Sequence, residues 1–506
     1  MKRTKRYITS NDLASSTRCK RIGDIVFFPT TPPLNELHSA VAILKKNGLL
    51  DKIFPHNTFT PKNISSFGII ETMRNRYENN GHNFQEPEWT EALPSAIKRY
   101  LRFHQALDSW DYQPMFIVFG LPYSGLNYLV AEDGLTQDAF HIFPKLYRLQ
   151  DIKQLGFLQD PVVSDISRHA FTNDFSHRRL CHSLDVMALL TLVLENNNIS
   201  PENSFIPRFA GLTHDALTPA GGDTIKLIDP LAFDEDAHFA EFLNNSEWIE
   251  YARKKNISSE IIIQTVQGKG LWGSLLDICD KIAYVSRDVA AYLFRSQGWD
   301  HHIPYPDSYK KIADIMDSSH LITGIWDAVR IIDGKMVIVS AKRLYNFLKL
   351  RTLLFREFYY HPGSRFKEFM ISYVIIKYFY NMGEITRDEL LEMTDTDLER
   401  FIDHKLKSKY VLHTLDMSPD VRVEAFATTE KARAREQELI KNGFPITLLE
   451  NLRNKIKPET HYLVPAPDKT FKPFSEAYPE LHADITELGH IDHPIRLYYF
   501  ASATPP

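Results

Sequence analysis

The sequence predicts a mainly α-helical fold, with a small β-hairpin before the helical body and a small α+β region at its C-terminal side. Three observations support this prediction. Segments with apolar residues at helical spacing follow one another from about 140 to 295 and again from about 336 to 383. The segment 114–134 places β-branched and aromatic clusters on either side of a GLPYSG turn, which is typical of a hairpin. Beyond about residue 456, prolines and aromatic residues interrupt the helical pattern.

The first hundred residues form a mixed leader. SAVAILKKNGLLDKI (39–53) and PSAIKRYLRFHQAL (94–107) have helical periodicity, and the hairpin at 114–134 follows them. We therefore assign residues 1–110 to an N-terminal helical or mixed extension.

The helical body contains one helix that should be central. CHSLDVMALLTLVLENNN (181–198) is apolar almost all round, which is typical of a buried helix. Later helices are predicted at PRFAGLTHDAL (207–217), SLLDICDKIAYVSRDVAAYLF (274–294), an array from about 336 to 383, and an acidic unit at 387–406. These patterns predict a core at 111–385 and a C-terminal helical and irregular or β cap at 386–506.

Composition excludes several classes of protein. The net charge of -5 argues against a wide, sequence-independent nucleic-acid surface, so no extensive nucleic-acid surface is expected. Three cysteines without CxxC spacing do not describe a disulfide framework.

The basic N-terminus lacks the apolar segment of a signal peptide, and it is either a solvated leader or an arm that contacts phosphates. No apolar run approaches the roughly 20 residues of a membrane span. We expect a cytoplasmic protein with no membrane partner.

Metal-type ligands recur on three of the predicted helices. His182 lies on the first, His214 and Asp215 are adjacent on the second, and Asp280 lies on the long helix. Two imidazoles and two carboxylates suit a divalent ion such as Mn, Mg, Fe, Zn or Ni. Each residue alone is more often a structural one, so the order and context of the set carry the prediction.

That order, a His, then a His-Asp doublet, then an Asp in a later helix, resembles the HD superfamily of metal-dependent phosphohydrolases. The flanking residues resemble its deoxynucleoside triphosphate triphosphohydrolase branch. The similar segments are YRLQDIKQLGFL (147–158), FSHRRLCHSLDV (175–186), DKIAYVSRD (280–288) and RLYNFLKLRTLLFREFYYH (343–361), with a looser match at GLPYSGLNYL (120–129). The resemblance covers about 115 to 440 and implies an HD-domain helical bundle.

The resemblance also implies roles for individual residues. It assigns metal binding to His182, His214, Asp215 and Asp280. It assigns sugar contacts to Gln154 and Leu155, phosphate contacts to Arg179 and Lys281, a phosphate or sugar contact to Tyr284, the acceptor for the 3′-hydroxyl to Asp288, and contacts to phosphate, sugar or base to Arg351, Tyr359 and His361.

The sequence departs from this branch after the doublet. The branch usually continues GH-x-P-F-x-H, whereas this chain reads HDALTPAGGDTIK (214–226), with Thr218 in place of the first of those histidines. Asp223 and Lys226 are the nearest polar residues that could fill the gap. Asp223 either acts in catalysis, by orienting a water or binding a second metal, or caps the helix that follows it.

His238 is the candidate for a further family histidine that acts near the leaving group. It lies in DEDAHFAEF (234–242), where acidic neighbours suit a general acid. The alternative is a solvated acidic loop that carries an incidental histidine.

The resemblance therefore implies a phosphohydrolase that takes a nucleotide substrate and converts deoxynucleoside triphosphates to nucleoside and triphosphate. Two alternatives stay open. One is an HD phosphodiesterase or nucleotidase that acts on another phosphoester, which the altered loop favours. The other is a non-enzymatic nucleotide-binding regulator. Analogy with the branch also implies a homo-oligomer.

Overall fold

A computed structural model describes most of the chain after residue 113. The described residues are 20–28, 42–43, 46, 114–121, 126–131, 134–156, 178–298, 325–407, 421–444, 447–453, 455–456 and 458–500. The predicted helix at 94–107 lies outside them, and of the one at 39–53 only 42, 43 and 46 are described, all as helical.

The body of the protein is helical, so the mainly α prediction is confirmed. In chain order its helices are α1 (Leu135–Ile142), α2 (Arg179–Asn196), α3 (Phe205–Thr213), α4 (Asp223–Lys226), α5 (Glu235–Leu243), α6 (Ser246–Lys255), α7 (Ser259–Val266), α8 (Gly270–Gly298), α9 (Ala341–Leu354), α10 (Pro362–Phe369), α11 (Lys377–Asn381), α12 (Arg387–Glu392), α13 (Asp395–Leu406), α14 (Thr429–Lys441), α15 (Phe474–Ala477) and α16 (Pro479–Leu488). Two π-helical segments, Phe355–Tyr359 and Met370–Ile376, follow α9 and α10.

The strands form three small sheets. They are β1 (Lys20–Ile22), β2 (Ile25–Phe28), β3 (Pro114–Leu121), β4 (Leu126–Ala131), β5 (Val329–Ile332), β6 (Lys335–Ile338), β7 (Val421–Phe426), β8 (Thr447–Asn451), β9 (Leu463–Pro465), β10 (Phe471–Pro473) and β11 (Ile495–Phe500). Their orders are β1-β2-β4-β3, β10-β9-β6-β5 and β7-β11-β8. All pairings are antiparallel except β6 with β9. The predicted hairpin is confirmed as β3–β4.

The predicted helical array from about 336 to 383 was wrong at its start, because its first residues belong to β6. Asp333 and Gly334 both have positive φ, 49° and 71°, and form the tight turn that joins β5 to β6. An Asp-Gly pair between two apolar runs is a strong hairpin signal. The signal was present in the sequence, but the run KMVI is too short to distinguish a strand from a helix by its period.

Helix α2 is central, as its composition predicts. Every residue from His182 to Leu194 is buried, because α3 and α8 pack on it together with the first sheet. Its buried Asp185 is neutralised by the Arg287 guanidinium of α8, and the Tyr128 hydroxyl of β4 donates to it at 2.7 Å. These contacts fix α8 and the hairpin relative to α2.

One hydrophobic core extends through most of the described chain. It includes residues as far apart in sequence as Ile22 and Ile485, and it takes in Tyr462 and Phe474 from the C-terminal region. None of the helices in the described ranges is long and apolar enough to cross a membrane.

Candidate metal centre and active site

Three elements bring the four predicted metal ligands together. His182 lies in the first turn of α2, and Asp280 lies within α8. His214 is the C-cap residue of α3, and Asp215 follows it in the adjoining turn. Because α3 and α8 both pack on α2, these four side chains point to one place.

The distances between the four residues resemble those between ligands that share one ion. Nε2 of His182 lies 2.8 Å from Oδ1 of Asp280 and 3.8 Å from Oδ2 of Asp215. Nε2 of His214 lies 3.3 Å from Nε2 of His182 and 3.6 Å from Oδ1 of Asp280. Two ligands that are each about 2.1 Å from an ion lie about 3 to 3.4 Å apart.

Three further observations fit a metal centre. Nδ1 of His214 lies 3.0 Å from the Gly211 carbonyl, which is an acceptor, so Nδ1 carries the proton and Nε2 keeps its lone pair for an ion. Oδ2 of Asp215 is buried and has no hydrogen-bond partner among the described residues. A buried carboxylate oxygen without a partner is costly unless a cation satisfies it. One ligand atom each from His182, His214 and Asp215 all lie within 4.8 Å of one another, so this group could hold a metal ion.

The charges of the cluster reinforce one another. Burial alone would lower the pKa of His214, but the carboxylates of Asp215 and Asp280 raise it to about 9, so an ion that binds Nε2 displaces a proton from the ring. Burial would raise the pKa of Asp215, but Arg179 and the two histidines hold it well below its usual range. Burial likewise opposes the shift at Asp280, but His182 and His214 lower its pKa, so both carboxylates are charged at neutral pH.

Arg179 extends the cluster outwards. Its guanidinium lies 3.1 Å from Oδ1 of Asp215 and 2.9 Å from Oδ2 of Asp223. Lys226 lies 2.9 Å from Asp223 and 3.0 Å from Glu235. A line of alternating charges thus runs from Asp215 to Glu235.

Asp223 does not cap a helix, so that alternative was wrong. Gly222 holds the N-cap position of α4 and Asp223 is the first helical residue, with its carboxylate turned towards Arg179 and Lys226. Although burial opposes the shift, these two cations lower the pKa of Asp223. A carboxylate held in its charged form by two cations is a weak base, but it positions both of them.

Glu235 was missed by the sequence reasoning, which treated it only as a neighbour of His238. It opens α5 after the N-cap Asp234, and its side chain is buried. Burial raises the pKa of Glu235, and Lys226 opposes that shift. The available signal was the acidic run before an apolar helix, which is typical of a helix start.

His238 is held by other partners. Its Nδ1 lies 2.6 Å from a carboxylate oxygen of Glu241, and its Nε2 lies 3.0 Å from the carbonyl oxygen of Leu231. Both ring nitrogens therefore face acceptors outside the cluster.

The predicted substrate residues of α8 lie along its length from the metal cluster. Tyr284 is one turn beyond Asp280, and Nε of Arg351 donates to its hydroxyl at 2.5 Å. Asp288, a turn further, accepts a hydrogen bond from the Tyr359 hydroxyl. Because α9 and the π segment after it supply Arg351 and Tyr359, the two helices carry one continuous polar strip.

Lys281 and Arg351 share a partner that the sequence reasoning missed. Glu459 contacts Lys281 with one carboxylate oxygen and lies 2.8 Å from Arg351 with the other. Lys281 also lies 2.6 Å from Asp277 and donates to the Tyr462 hydroxyl at 3.0 Å. Glu459 and Tyr462 come from the C-terminal region, and no local pattern marks them.

The remaining predicted residues lie on two other segments. A β-bridge between Lys153 and Arg178 holds the turn with the buried Gln154 and Leu155 beside the start of α2. His361 follows the first π segment, and burial together with the charge of Arg496 lowers its pKa to about 4.

Comparison with known proteins relates this architecture to solved structures. A phosphohydrolase from Bacteroides thetaiotaomicron superposes with a TM-score of 0.52 at 17% identity, covering 76% of this chain and 100% of that one. A hypothetical protein from Aquifex aeolicus gives 0.50 at 17% identity, covering 76% and 97%. The chain shares their fold. No protein-family model and no curated protein matches the sequence.

Proposed function

We propose that this protein is a metal-dependent phosphohydrolase that converts deoxynucleoside triphosphates to nucleoside and triphosphate. The observation that carries the proposal is the cluster of His182, His214, Asp215 and Asp280, with its buried, unpartnered carboxylate oxygen. The shared fold with a phosphohydrolase supports the general class. When bound, a divalent ion supplies Lewis-acid chemistry, because it polarises a phosphoryl oxygen and makes water a better nucleophile.

The cations around the cluster bind and stabilise phosphate in this proposal. Arg179 presents a planar fork that matches phosphate oxygens, and Asp215 and Asp223 hold it in place. Lys281 and Arg351 lie further along α8 and α9. Positive groups fixed before the reaction stabilise the charge that develops at phosphorus in the transition state.

The polar strip of α8 and α9 recognises the nucleoside. The carboxylate of Asp288 accepts a hydrogen bond from the 3′-hydroxyl. The Tyr359 hydroxyl, which donates a hydrogen bond to the same carboxylate, orients it. Tyr284 and Gln154 contact the sugar or the first phosphate. These roles follow the resemblance, and the placement of Asp280, Tyr284 and Asp288 along one helix supports them.

A second candidate function, hydrolysis of another phosphoester, is favoured by the loop after the doublet. The chain has Thr218 in place of the first histidine that the resemblance implies, and the nearby carboxylate of Asp223 is engaged with Arg179 and Lys226. A site changed in this way could act on nucleoside monophosphates or cyclic nucleotides.

A product assay separates the two candidates. Purified protein is incubated with each of the four deoxynucleoside triphosphates and Mn or Mg, and the products are separated. We expect nucleoside and intact triphosphate, abolished in Asp215→Ala and retained in Asp388→Asn, a variant of an exposed aspartate. No turnover of any triphosphate would overturn the first candidate, and monophosphates and cyclic nucleotides would then be screened.

A further inference from the structure

Glu459 neutralises the two cations that the proposed function assigns to phosphate. Its two carboxylate oxygens contact Lys281 and Arg351 separately, so it bridges them. Asp277 supplies a second carboxylate to Lys281. Two cations thus face two carboxylates, and the group has no net charge with which to attract an anion.

The bridge lies at the solvent side of the two cations. The side chain of Glu459 is 27% exposed, whereas those of Lys281 and Arg351 are 9% and 12% exposed. An incoming anion therefore reaches the carboxylate before it reaches the cations, and it can bind only by competing with Glu459.

The segment that carries Glu459 has an anchor of its own. Tyr462, three residues later, is buried, and its hydroxyl donates to Asp277 at 2.7 Å. Its carbonyl accepts from the backbone of Phe474, and Val464 follows in β9. The segment therefore stays in place when the Glu459 carboxylate moves away.

We propose that Glu459 is an internal competitor that occupies the Lys281–Arg351 pair until a phosphate group of the substrate displaces it. A phosphate group that binds this pair must first break its ion pairs with Glu459. The free energy of breaking them is the same for each such anion, so Glu459 lowers the affinity of orthophosphate and of tripolyphosphate by a similar factor. This inference rests on the proposed function, since it takes Lys281 and Arg351 to be phosphate-binding.

The test measures anion binding by the full chain and does not depend on turnover. Isothermal titration calorimetry in buffer with Mg²⁺ compares orthophosphate and tripolyphosphate for the wild type, Glu459→Gln and Glu480→Gln. Glu480 is an exposed carboxylate of α16 and serves as the matched control. We expect Glu459→Gln to bind orthophosphate about tenfold more tightly, since rearranging close charge pairs changes affinity by at least that much. Tripolyphosphate should gain by a similar factor, and Glu480→Gln should behave as the wild type does.

Other outcomes are distinguishable. If Lys281→Met weakens both anions while Glu459→Gln changes neither or weakens both, the phosphate site stands and the role of Glu459 is wrong. If neither Lys281→Met nor Arg351→Met changes binding, the anions bind elsewhere, and both this inference and the phosphate assignment fall. Thermal unfolding establishes that each variant is folded, and Glu459→Ala replaces Glu459→Gln if that variant is not.

Discussion

The guanidinium of Arg179 lies 3.1 Å from Oδ1 of Asp215, and both side chains are buried. A fixed cation therefore contacts one oxygen of a predicted metal ligand and leaves the other oxygen without a hydrogen-bond partner among the described residues. Because Arg179 neutralises the carboxylate through Oδ1, Asp215 can stay charged in a buried position while Oδ2 is left to bind an ion.

Arg179→Lys should lower kcat/KM about a hundredfold or more, because an ammonium group cannot reach Asp215, Asp223 and a phosphate together. The bound metal should be retained, since the four predicted ligands are unchanged. Product assays and metal analysis by mass spectrometry measure the two effects. Arg400→Lys changes an exposed arginine and is the control. Activity equal to the wild type would show that Arg179 serves only the fold.

His238→Gln should reduce kcat less than about tenfold. The ring nitrogens of His238 lie within hydrogen-bond distance of the Glu241 carboxylate and the Leu231 carbonyl oxygen, so neither faces the metal cluster. Removal of a general acid would instead cost about a hundredfold or more and would remove one limb of the pH profile. Single-turnover rates across pH distinguish these results. A large loss, with a changed profile, would establish the catalytic role that the sequence suggested.

Stability should fall as pH rises from about 4.5 towards 7, in part because of Glu368. Burial raises the pKa of Glu368 to about 7, although Arg365 opposes the shift. The folded state therefore holds a proton that the unfolded state releases in this window, so the contribution of Glu368 to stability is lost with rising pH.

Glu368→Gln should remove that slope, worth about 2–3 kcal/mol over the window. Arg365 keeps a partner in the variant, since Glu450 lies 2.7 Å away. Urea unfolding at several pH values gives the two curves, with Glu480→Gln as the control. Parallel curves for the wild type and Glu368→Gln would show that Glu368 titrates normally.

Gly156→Ala should destabilise the protein by about 3 kcal/mol or more, because two penalties coincide. Gly156 has φ of 54°, and a Cβ there would lie 2.2 Å from the Gly221 carbonyl oxygen. Gly268→Ala is the matched control, with φ of 72° but no atom within 4 Å of the added Cβ, so about 1 kcal/mol is expected. Equal costs would mean that the approach to Gly221 is readily relaxed.

The sequence predicted the parts of the site that depend on local pattern. His182, His214 and Asp280 could be placed on helices because apolar spacing marks α2, α3 and α8, and the structure brings these residues together. Glu459 could not be found in this way. Its partners Lys281 and Arg351 are far away in sequence, and only the folded C-terminal region brings the three together.

In the fold, too, the elements with a local sequence pattern were predicted and those that depend on distant contacts were not. The hairpin β3–β4 and the buried helix α2 follow from local signals. Strands β1 and β2 were missed because they are short and depend on pairing: β1 pairs with β2, and β2 pairs with the distant β4. The pairing of β6 with β9 depends on a contact between Val337 and Leu463, which no local period reveals.

That pairing has a consequence for biosynthesis. A chain leaves the ribosome from its N-terminal side, at about 5–20 residues per second, so β6 emerges long before β9. Until residues 463–465 are synthesised, β6 exposes unpaired backbone groups on one side, and Lys281 and Arg351 lack Glu459. The centre of the protein is therefore completed after translation has passed the C-terminal region, and a nascent chain that stalls earlier presents an open strand edge for chaperones to bind.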